Sequence, residues 1–428
     1  MIAHLIEEAW EGDFAAAVRG VLPLLEGSYA ILALCADTDE VVAARERSPL
    51  VLGLGDDEFF ACSDATPPLS HIPGIFWSWK TGDLAVIRRG SVAVENGGET
   101  VVRETTYIDY DVEASRKGGF EHFMLKEIFE QPDVFQQSFR LACKHHGISM
   151  LLSRARGISV IACGTSYNAA LLFRYFVEKE CGVPVRVDLA SEYRYLSTPG
   201  DEIVIAVSQS GETADTLSAL KKAASSNCAT IAITNVQGGS SITRAADDTI
   251  YTGGAGPEIS VAATKSYMGQ YAAFVGLLAG MSCSDMSAVE RSVRQAIEES
   301  LLTDVNEAVS LCVGASTLFY VGRGIFYPVA LEGALKMKEI SYIHAEGYAA
   351  GEIKHGPPFA LLSKDTPAVA VCLPGDGYQS MLGNLREMKA RGTPLIGIGY
   401  GDDIDLQDVA DVCIPVPPKG THMRRWLR

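Results

Sequence analysis

The sequence predicts an α/β protein in which an antiparallel, strand-rich segment precedes two copies of a helix-covered parallel sheet. Residues 1 to about 110 contain closely spaced apolar runs separated by Asp- and Gly-rich turns, which is typical of antiparallel sheets. After about residue 150, short apolar runs alternate with long helical segments, which indicates doubly wound parallel sheets. This second part also repeats itself at an offset of about 160 residues, which indicates a duplicated unit.

The predicted strands follow from the positions of these apolar runs. In the N-terminal segment they are 28–34, 40–45, 49–53, 58–62, 82–87 and 91–94. Residues 107–119 are polar and Gly-containing, so they predict a linker. The strands of the first copy are 159–162, 203–208 and 230–234, and those of the second are 317–321, 368–373 and 395–398.

Composition narrows the class of protein. The 428 residues are 47% hydrophobic and 21% charged, an ordinary globular mixture that argues against long disorder. A formal net charge of −17 repels phosphate backbones, so we expect no nucleic-acid partner. The 10 cysteines contain no CxxC pair and no zinc spacing, and the acidic start at Glu7 and Glu8 is unlike a signal peptide. We therefore expect a cytoplasmic protein with reduced thiols, no bound metal and no cofactor.

Residues 266–284 carry no charge and are long enough to raise the question of a membrane span. Gln270, two flanking serines and three glycines argue against a span. A helix without a polar face must be buried, either in a core or against a partner. We expect no membrane association and expect the chain to self-associate through its α/β part.

The two copies differ in the loop after their second strand. In the first copy, Ser208, Ser210 and Thr213 surround Gly211 just before a helix predicted to begin near Ala214. Backbone N–H groups at a helix N-terminus and hydroxyl donors together suit an oxyanion such as phosphate, although surplus serines beside an ordinary N-cap are an alternative. The equivalent segment of the second copy, 374–379, contains an acid and lacks the hydroxyl cluster.

A second hydroxyl loop, Gly164-Thr165-Ser166, follows the first strand of the same copy. Open α/β sheets bind ligands at the carboxyl ends of adjacent strands, so both loops belong to one predicted site. No nucleotide-binding glycine motif is present, and Gly322-Arg323-Gly324 is interpreted as a tight turn.

A predicted helix over 330–340 carries Glu332, Lys336 and Glu339 on one face. These charges form either a solvated stripe or, because apolar residues interleave with them, a buried group in which a carboxylate acts as a base. Downstream, Pro357 and nearby glycines predict a loop that carries His355, a candidate proton carrier. His344 is as well explained by a structural role.

These residues resemble the isomerase half of the glutamine–fructose-6-phosphate aminotransferase (isomerizing) family. The segments that carry the resemblance are 122–132, 162–168, 208–216, 261–265, 330–346 and 351–357. The resemblance implies two tandem SIS domains with flavodoxin-like parallel sheets, after part of an Ntn-type glutaminase domain. It implies these divisions: 1–110 partial glutaminase domain, 111–150 linker and helical lead-in, 151–296 first SIS domain, and 297–428 second SIS domain.

The same resemblance implies that the chain makes glucosamine 6-phosphate from fructose 6-phosphate with glutamine or ammonia, in amino-sugar biosynthesis. Glu339 would move the proton between C1 and C2, and Lys336 would support it. His355 would assist ring opening from the neighbouring subunit of a homodimer. The implied sugar-phosphate ligands are Thr165, Ser166, Ser208, Gln209, Ser210, Thr213 and Val261.

The sequence departs from the family at both ends. The match enters partway into the glutaminase domain, at Ile2, so the family's nucleophilic Cys is absent. Residues after Pro417 do not match the family's tail, whose lysine forms a Schiff base with the sugar. We therefore expect a chain that is incomplete at both ends and cannot hydrolyse glutamine. Two alternatives remain: a non-catalytic sugar-phosphate binding or regulatory protein, and an ammonia-independent sugar-phosphate isomerase or deaminase.

Overall fold

The computed structural model describes residues 1–46, 48, 50–55, 58–63, 75–77, 79, 82–107, 117–198, 200–236, 240–256 and 258–417. The chain divides into two compact units, Met1–Gly119 and Phe120–Arg428. Most of the predicted linker and the tail after Pro417 lie outside the described residues.

Among its described residues, the N-terminal unit contains two α-helices, a 3-10 helix (Leu22–Leu24) and two antiparallel sheets. The helices are α1 (Ile2–Glu8) and α2 (Phe14–Val21). One sheet has the order β1 (Tyr29–Leu34), β2 (Glu40–Glu46), β6 (Asp83–Arg88), β7 (Ser91–Asn96), β8 (Glu99–Thr100). The other has the order β4 (Phe59–Cys62), β3 (Val51–Leu54), β5 (Ile75–Trp77), β9 (Thr105–Tyr107).

The antiparallel pairing confirms the prediction for this segment, but the two helices were not predicted. Asp13 caps α2, because its carboxylate accepts a hydrogen bond from the backbone N of Ala16 at 2.9 Å. Phe14, Val18 and Val21 then pack with Val42 and Val86 of the first sheet.

The second unit begins with three helices that lead into the first repeat. They are α3 (Phe123–Phe129), α4 (Gln131–Cys143) and α5 (His146–Ser153). The buried side chains of Phe135, Phe139 and Leu152 belong to the same core as the strands that follow. The lead-in therefore contributes to the core of the first repeat.

The first repeat is a five-stranded parallel sheet with the order β11-β10-β12-β13-β14. Its elements are β10 (Ile158–Ala162), α6 (Gly164–Cys181), β11 (Val185–Leu189), α7 (Ala190–Tyr193), β12 (Ile203–Val207), α8 (Ala214–Ser225), β13 (Ala229–Thr234), α9 (Ser241–Ala245), β14 (Asp248–Tyr251), α10 (Lys265–Met281) and α11 (Met286–Ser300). The central strands β10 and β12 are fully buried, as two-sided helix cover requires.

The second repeat has the equivalent order β16-β15-β17-β18-β19, again all parallel. Its elements are α12 (Asn306–Cys312), β15 (Thr317–Gly322), α13 (Phe326–Ser341), β16 (His344–Ala349), a 3-10 helix (Ala350–His355), α14 (Pro357–Leu361), β17 (Ala368–Val371), α15 (Tyr378–Lys389), β18 (Leu395–Tyr400), α16 (Ile404–Gln407) and β19 (Val412–Val416). The predicted duplication of a doubly wound unit is thus confirmed.

Helix α10 accounts for the uncharged stretch 266–284. Along its length Gln270, Ala273, Phe274 and Leu277 are buried, and Phe274 stacks on Phe173 of α6 with ring centroids 4.5 Å apart. The helix is therefore a core element of the first repeat, which confirms the first of the two predicted alternatives, and its burial gives no evidence for a partner chain. Within the described residues, no helix combines the length and apolarity needed to cross a membrane.

Candidate active site

Two hydroxyl-bearing loops lie at one edge of the first sheet. Thr165 and Ser166, which were predicted to lie in a loop, follow β10 in the first turn of α6, and residues 208–213 follow β12 and precede α8. Strands β10 and β12 pair directly and in parallel, so their carboxyl ends lie side by side. The sequence prediction that the two loops share an edge of the sheet is confirmed.

Residues 208–213, hereafter the hydroxyl loop, are held by their own hydroxyls. Ser208 Oγ accepts from Gly211 N at 3.0 Å and lies 2.9 Å from Thr213 Oγ1. Ser210 Oγ accepts from Glu212 N at 3.2 Å, and Gln209 O accepts from Asn235 N at 3.1 Å. These bonds fix the loop in a compact turn in which the hydroxyl groups converge.

The hydroxyls do not serve as an ordinary helix cap. Thr213 is the N-cap residue of α8, yet no side chain accepts a hydrogen bond at this end of the helix. The explanation of surplus serines beside an N-cap is therefore not supported. Backbone N–H groups of the first helical turn remain oriented towards the loop, as an anion site requires.

Gly211 is a necessary glycine. Its φ is +69°, and a Cβ atom built there would lie 2.6 Å from the Cβ of Ser240 and 2.9 Å from a methyl of Ile242. The carbonyl of Gly211 also accepts from Ile242 N at 3.0 Å. The chain thus packs the hydroxyl loop directly against the segment before α9, and only glycine fits at this point.

The second repeat supplies a cation to the Thr165 hydroxyl at the start of α6. Lys336 Nζ on α13 donates to Thr165 Oγ1 at 3.0 Å and pairs with Glu339 Oε2 at 2.6 Å. The sequence predicted an anion site of backbone N–H groups and hydroxyls, and the structure adds this ammonium group from the other repeat. The contact joins the proposed base to the proposed phosphate site through one side chain.

Glu332 is the buried carboxylate of the helix face that it shares with Lys336 and Glu339. Its side chain is 9% exposed, whereas that of Glu339 is 33% exposed. Glu332 accepts from Thr165 Oγ1 at 3.0 Å and from Asn168 Nδ2 at 2.8 Å, and it lies 3.4 Å from Lys336 Nζ. The alternative of a solvated stripe is therefore wrong, but the more deeply buried carboxylate is that of Glu332 and not that of Glu339.

Glu332 and Asn168 were not among the predicted site residues. The i,i+4 spacing of Glu332 and Lys336 was visible in the sequence, but their contact with α6 is tertiary. The effect of this carboxylate extends to α10, where burial and, secondarily, the charge of Glu332 raise the pKa of the Tyr267 phenol. Tyr267 thus remains protonated and able to donate a hydrogen bond.

Val261 lies on the segment that connects the carboxyl end of β14 to α10. It is 89% exposed, while the next residue, Ala262, is fully buried. A contact between Val261 and a sugar remains a prediction, since no described side chain links Val261 to the hydroxyl loop.

His355 is the last residue of the 3-10 helix 350–355, and it is exposed. The predicted loop is wrong in this detail, because the backbone closes helical turns before Pro357 begins α14. In the described part of the chain its imidazole has neither a hydrogen-bond partner nor an ion-pair partner. The structure thus brings together Thr165, Lys336 and Glu339, and separately Ser208, Ser210 and Thr213, without placing His355 beside either group.

Among the described residues there is no group of three or more His, Cys, Asp or Glu side chains arranged to hold a metal ion. The chemistry available at this site is that of hydroxyl and N–H donors, one ammonium and two carboxylates. Such a set can bind an anionic substrate and move a proton.

The SIS domain family model matches residues 151–279 and 313–423, which correspond to the two repeats. The glutamine–fructose-6-phosphate aminotransferase [isomerizing] of Methanothermobacter thermautotrophicus is 41% identical over 426 residues, which cover 98% of this chain and 71% of the relative. The chain belongs to the glutamine–fructose-6-phosphate aminotransferase [isomerizing] family. The predicted family and the two-SIS fold are thereby confirmed.

Two further comparisons agree with this family. The aminotransferase of the same name from Caldanaerobacter subterraneus subsp. tengcongensis is 38% identical and covers 97% of this chain and 72% of the relative. The C-terminal domain of glucosamine-fructose-6-phosphate aminotransferase from Francisella tularensis superposes with a TM-score of 0.64 at 33% identity. That comparison covers 71% of this chain and 91% of the solved domain.

Proposed function

We propose that this family member binds fructose 6-phosphate at the carboxyl edge of its first SIS sheet and converts it to glucosamine 6-phosphate. The observation that carries the proposal is the position of Lys336, whose ammonium group contacts both Thr165 of the first repeat and Glu339 of its own helix. Thr165, a ligand of the substrate phosphate, and Glu339, the base that takes the proton from the sugar carbon, therefore lie on either side of one ammonium group.

The phosphate binds to Ser208, Gln209, Ser210 and Thr213 and to the N-terminal residues of α6, Thr165 and Ser166. The hydroxyls of Ser208 and Thr213, which now bond to each other, exchange that bond for bonds to the phosphate oxygens, and Ser210 Oγ exchanges its bond from Glu212 N in the same way. The N–H groups in the first turns of α6 and α8 add partial positive charge. The local donors offset the repulsion from the negative net charge of the chain.

Glu339 acts as the general base. Ammonia from the nitrogen donor first condenses with the C2 carbonyl of the open-chain sugar, with loss of water, to give an imine. The partly exposed carboxylate of Glu339 then removes a proton from C1 and returns it to C2, which leaves an amino group on C2 and the carbonyl at C1. Lys336 orients this carboxylate, since its Nζ lies 2.6 Å from Glu339 Oε2. Glu332 fixes both neighbours, because its carboxylate accepts from Thr165 Oγ1 and lies 3.4 Å from Lys336 Nζ.

Nitrogen comes from glutamine or ammonia, and the functional form is a homodimer in which His355 of one subunit assists ring opening in the site of the other. The exposure of His355 and its lack of a partner within the described chain are consistent with a role across subunits. The domain divisions proposed from the resemblance, 1–110, 111–150, 151–296 and 297–428, belong to the same proposal.

The decisive experiment incubates the pure chain with fructose 6-phosphate, with and without glutamine or ammonium, and measures glucosamine 6-phosphate and glucose 6-phosphate. Nitrogen-dependent glucosamine 6-phosphate supports the proposal. Binding without turnover would favour a regulatory SIS protein, and glucose 6-phosphate formed without any influence of a nitrogen donor would favour a simple isomerase.

The dimer is tested by complementation between two inactive variants, Glu339→Gln and His355→Ala. If His355 acts across the subunit interface, mixed dimers contain one site with both groups intact, and activity returns to about a quarter of the wild-type level. Light scattering that gives a monomer mass at micromolar concentration would refute the shared site.

A further inference from the structure

The segment that carries Val261 belongs to the same edge of the sheet as the hydroxyl loop. Asn235, at the carboxyl end of β13, donates from its backbone N to Gln209 O at 3.1 Å and from its side chain to Gly256 O at 2.7 Å. One asparagine thus connects the hydroxyl loop with the start of the segment that leads to Val261. We refer to residues 258–264 as the Val261 loop.

The lead-in helix α3 holds the Val261 loop through one buried carboxylate. Glu127 is 2% exposed, and its Oε1 accepts from Ile259 N at 2.6 Å and from Ser260 N at 3.3 Å. Its Oε2 accepts from the Ser260 hydroxyl. A carboxylate that receives several N–H and O–H bonds makes strong, charge-assisted contacts that fix the backbone locally.

Neighbouring charges hold the far end of the loop. Glu258 Oε1 accepts from Thr264 N at 2.6 Å and from Ser266 N at 3.2 Å, which caps α10. Lys265 is 2% exposed and pairs with Glu130 Oε2 at 2.7 Å. The loop is therefore fixed at both ends by acidic side chains, two of which come from the segment around α3.

Val261 is the part of this loop that the protein itself does not use. It is 89% exposed, although the backbone on one side bonds to Glu127 and Ala262 on the other side is fully buried. An apolar side chain held out by a fixed backbone loses little conformational entropy when a ligand covers it. An exposed apolar side chain on a fixed backbone is the arrangement expected of a residue that contacts the carbon skeleton of a bound sugar.

We propose that Glu127 is a positioning residue that sets the Val261 loop for the sugar part of the substrate. The inference rests on the proposed function, because it takes fructose 6-phosphate as the ligand. It assigns a role to α3, which the sequence resemblance included without giving its residues a function. Glu127 acts on the sugar contact alone, since the phosphate binds to the hydroxyl loop.

The test compares two ligands and two variants by calorimetry. Glu127→Gln keeps the size of the side chain but replaces one acceptor oxygen with an NH2 group and removes the charge. We expect the dissociation constant for fructose 6-phosphate to rise about tenfold while that for inorganic phosphate stays within about twofold. Hydrogen exchange at the amides of Ile259 and Ser260 should become faster with no ligand present.

Asp247→Asn is the matched control. Asp247 also accepts from a backbone N and a hydroxyl, both of Thr230 at 2.8 Å, but at the amino end of β13 and β14, opposite the site. Its replacement should leave both dissociation constants unchanged. A Glu127→Gln variant that binds fructose 6-phosphate as tightly as wild type, or that loses both ligands equally, overturns the inference.

Failure of the proposed function has a different result. A wild-type chain that binds inorganic phosphate but shows no preference for fructose 6-phosphate would refute the choice of substrate, whatever the variants do. If wild type does prefer fructose 6-phosphate, the positioning role is overturned when Glu127→Gln binds fructose 6-phosphate with the same affinity as wild type.

Discussion

The loops after β12 and β17 occupy equivalent places in the two SIS sheets and have opposite chemistry. The first, 208–213, presents hydroxyls before α8. In the second, Asp376 pairs with Lys179 at 3.2 Å, and the Tyr378 hydroxyl donates to the carboxylate of Asp403. The topology decides where a ligand can bind, but the side chains of the loop decide whether an anion is accepted.

Features that only support the sheet are retained in both repeats. Asp247 and Asp411 both precede the last strand and bond to the neighbouring strand, at Thr230 and Leu395 respectively. Divergence is therefore concentrated at the carboxyl edge, where a substrate would lie. The following variants test that contrast, from the largest expected effect to the smallest.

Replacing Glu339 by Gln should remove most activity. General-base catalysis contributes about 10²- to 10⁴-fold, and we expect a loss of that size in the incorporation of deuterium at C1 of fructose 6-phosphate in D2O. The control is Glu346→Gln, which alters an exposed carboxylate of the same repeat, 3.7 Å from Lys338. Equal exchange by Glu339→Gln and wild type would remove Glu339 from the mechanism.

The double variant Ser210→Ala with Thr213→Ala should weaken binding of fructose 6-phosphate by about 10²-fold or more. Each hydroxyl donor to an anion contributes about 1.5–3 kcal/mol. The matching change in the second repeat, Asp376→Asn with Gln379→Ala, should have no effect on calorimetric affinity. If both double variants weaken binding equally, the two loops do not differ in function.

Gly211→Ala and Gly377→Ala separate strain from binding. Both glycines have positive φ, +69° and +82°, so each alanine should destabilise the fold by about 1–2 kcal/mol. Only Gly211→Ala also forces Ser240 away from the hydroxyl loop, and only this variant should lose phosphate affinity. Chemical denaturation gives the stability, and loss of phosphate binding in Gly377→Ala would contradict the assignment.

Buried central strands were predictable because their residues are apolar throughout. The predicted and observed strands agree within a few residues at β10, β12, β13, β15, β17 and β18. Edge strands β11 and β16 were missed, since Arg186 and Asp188 in one and Glu346 and Gly347 in the other interrupt an apolar pattern. Their pairing with β10 and β15 is tertiary, and sequence periodicity does not reveal it.

The candidate site was predictable to a similar extent. Hydroxyl loops next to strand ends are local in sequence, so they could be found without the fold. Glu332 bonds to residues more than 160 positions away, and Glu127 bonds to a loop more than 130 positions away. These contacts depend on how the lead-in helices and the second repeat pack, which the spacing of charges along one helix does not specify.

The smallest expected effect concerns Asp411, which supports the second sheet as Asp247 supports the first, and the dependence of its contribution to stability on pH. Burial tends to raise the pKa of Asp411, but hydrogen bonds from Lys389 and from the backbone N of Leu395 outweigh it and hold the pKa below its ordinary value. A lowered folded-state pKa stabilises the protein above the unfolded-state pKa of about 4, and this contribution is lost as the pH falls through the folded-state value.

Asp411→Asn should therefore lower Tm at neutral pH by only about 2 °C, since the side chain is 39% exposed and solvent screens its pair with Lys389. The difference from wild type should begin to shrink near pH 4 and vanish only below the folded-state pKa, where Asp411 is protonated in both states. Scanning calorimetry between pH 3 and 7 measures this. A Tm difference that grows on acidification would show that the carboxylate does not stabilise β19. The affinity for fructose 6-phosphate should be the same in both proteins at every pH, because Asp411 lies at the amino end of its strand, away from the site.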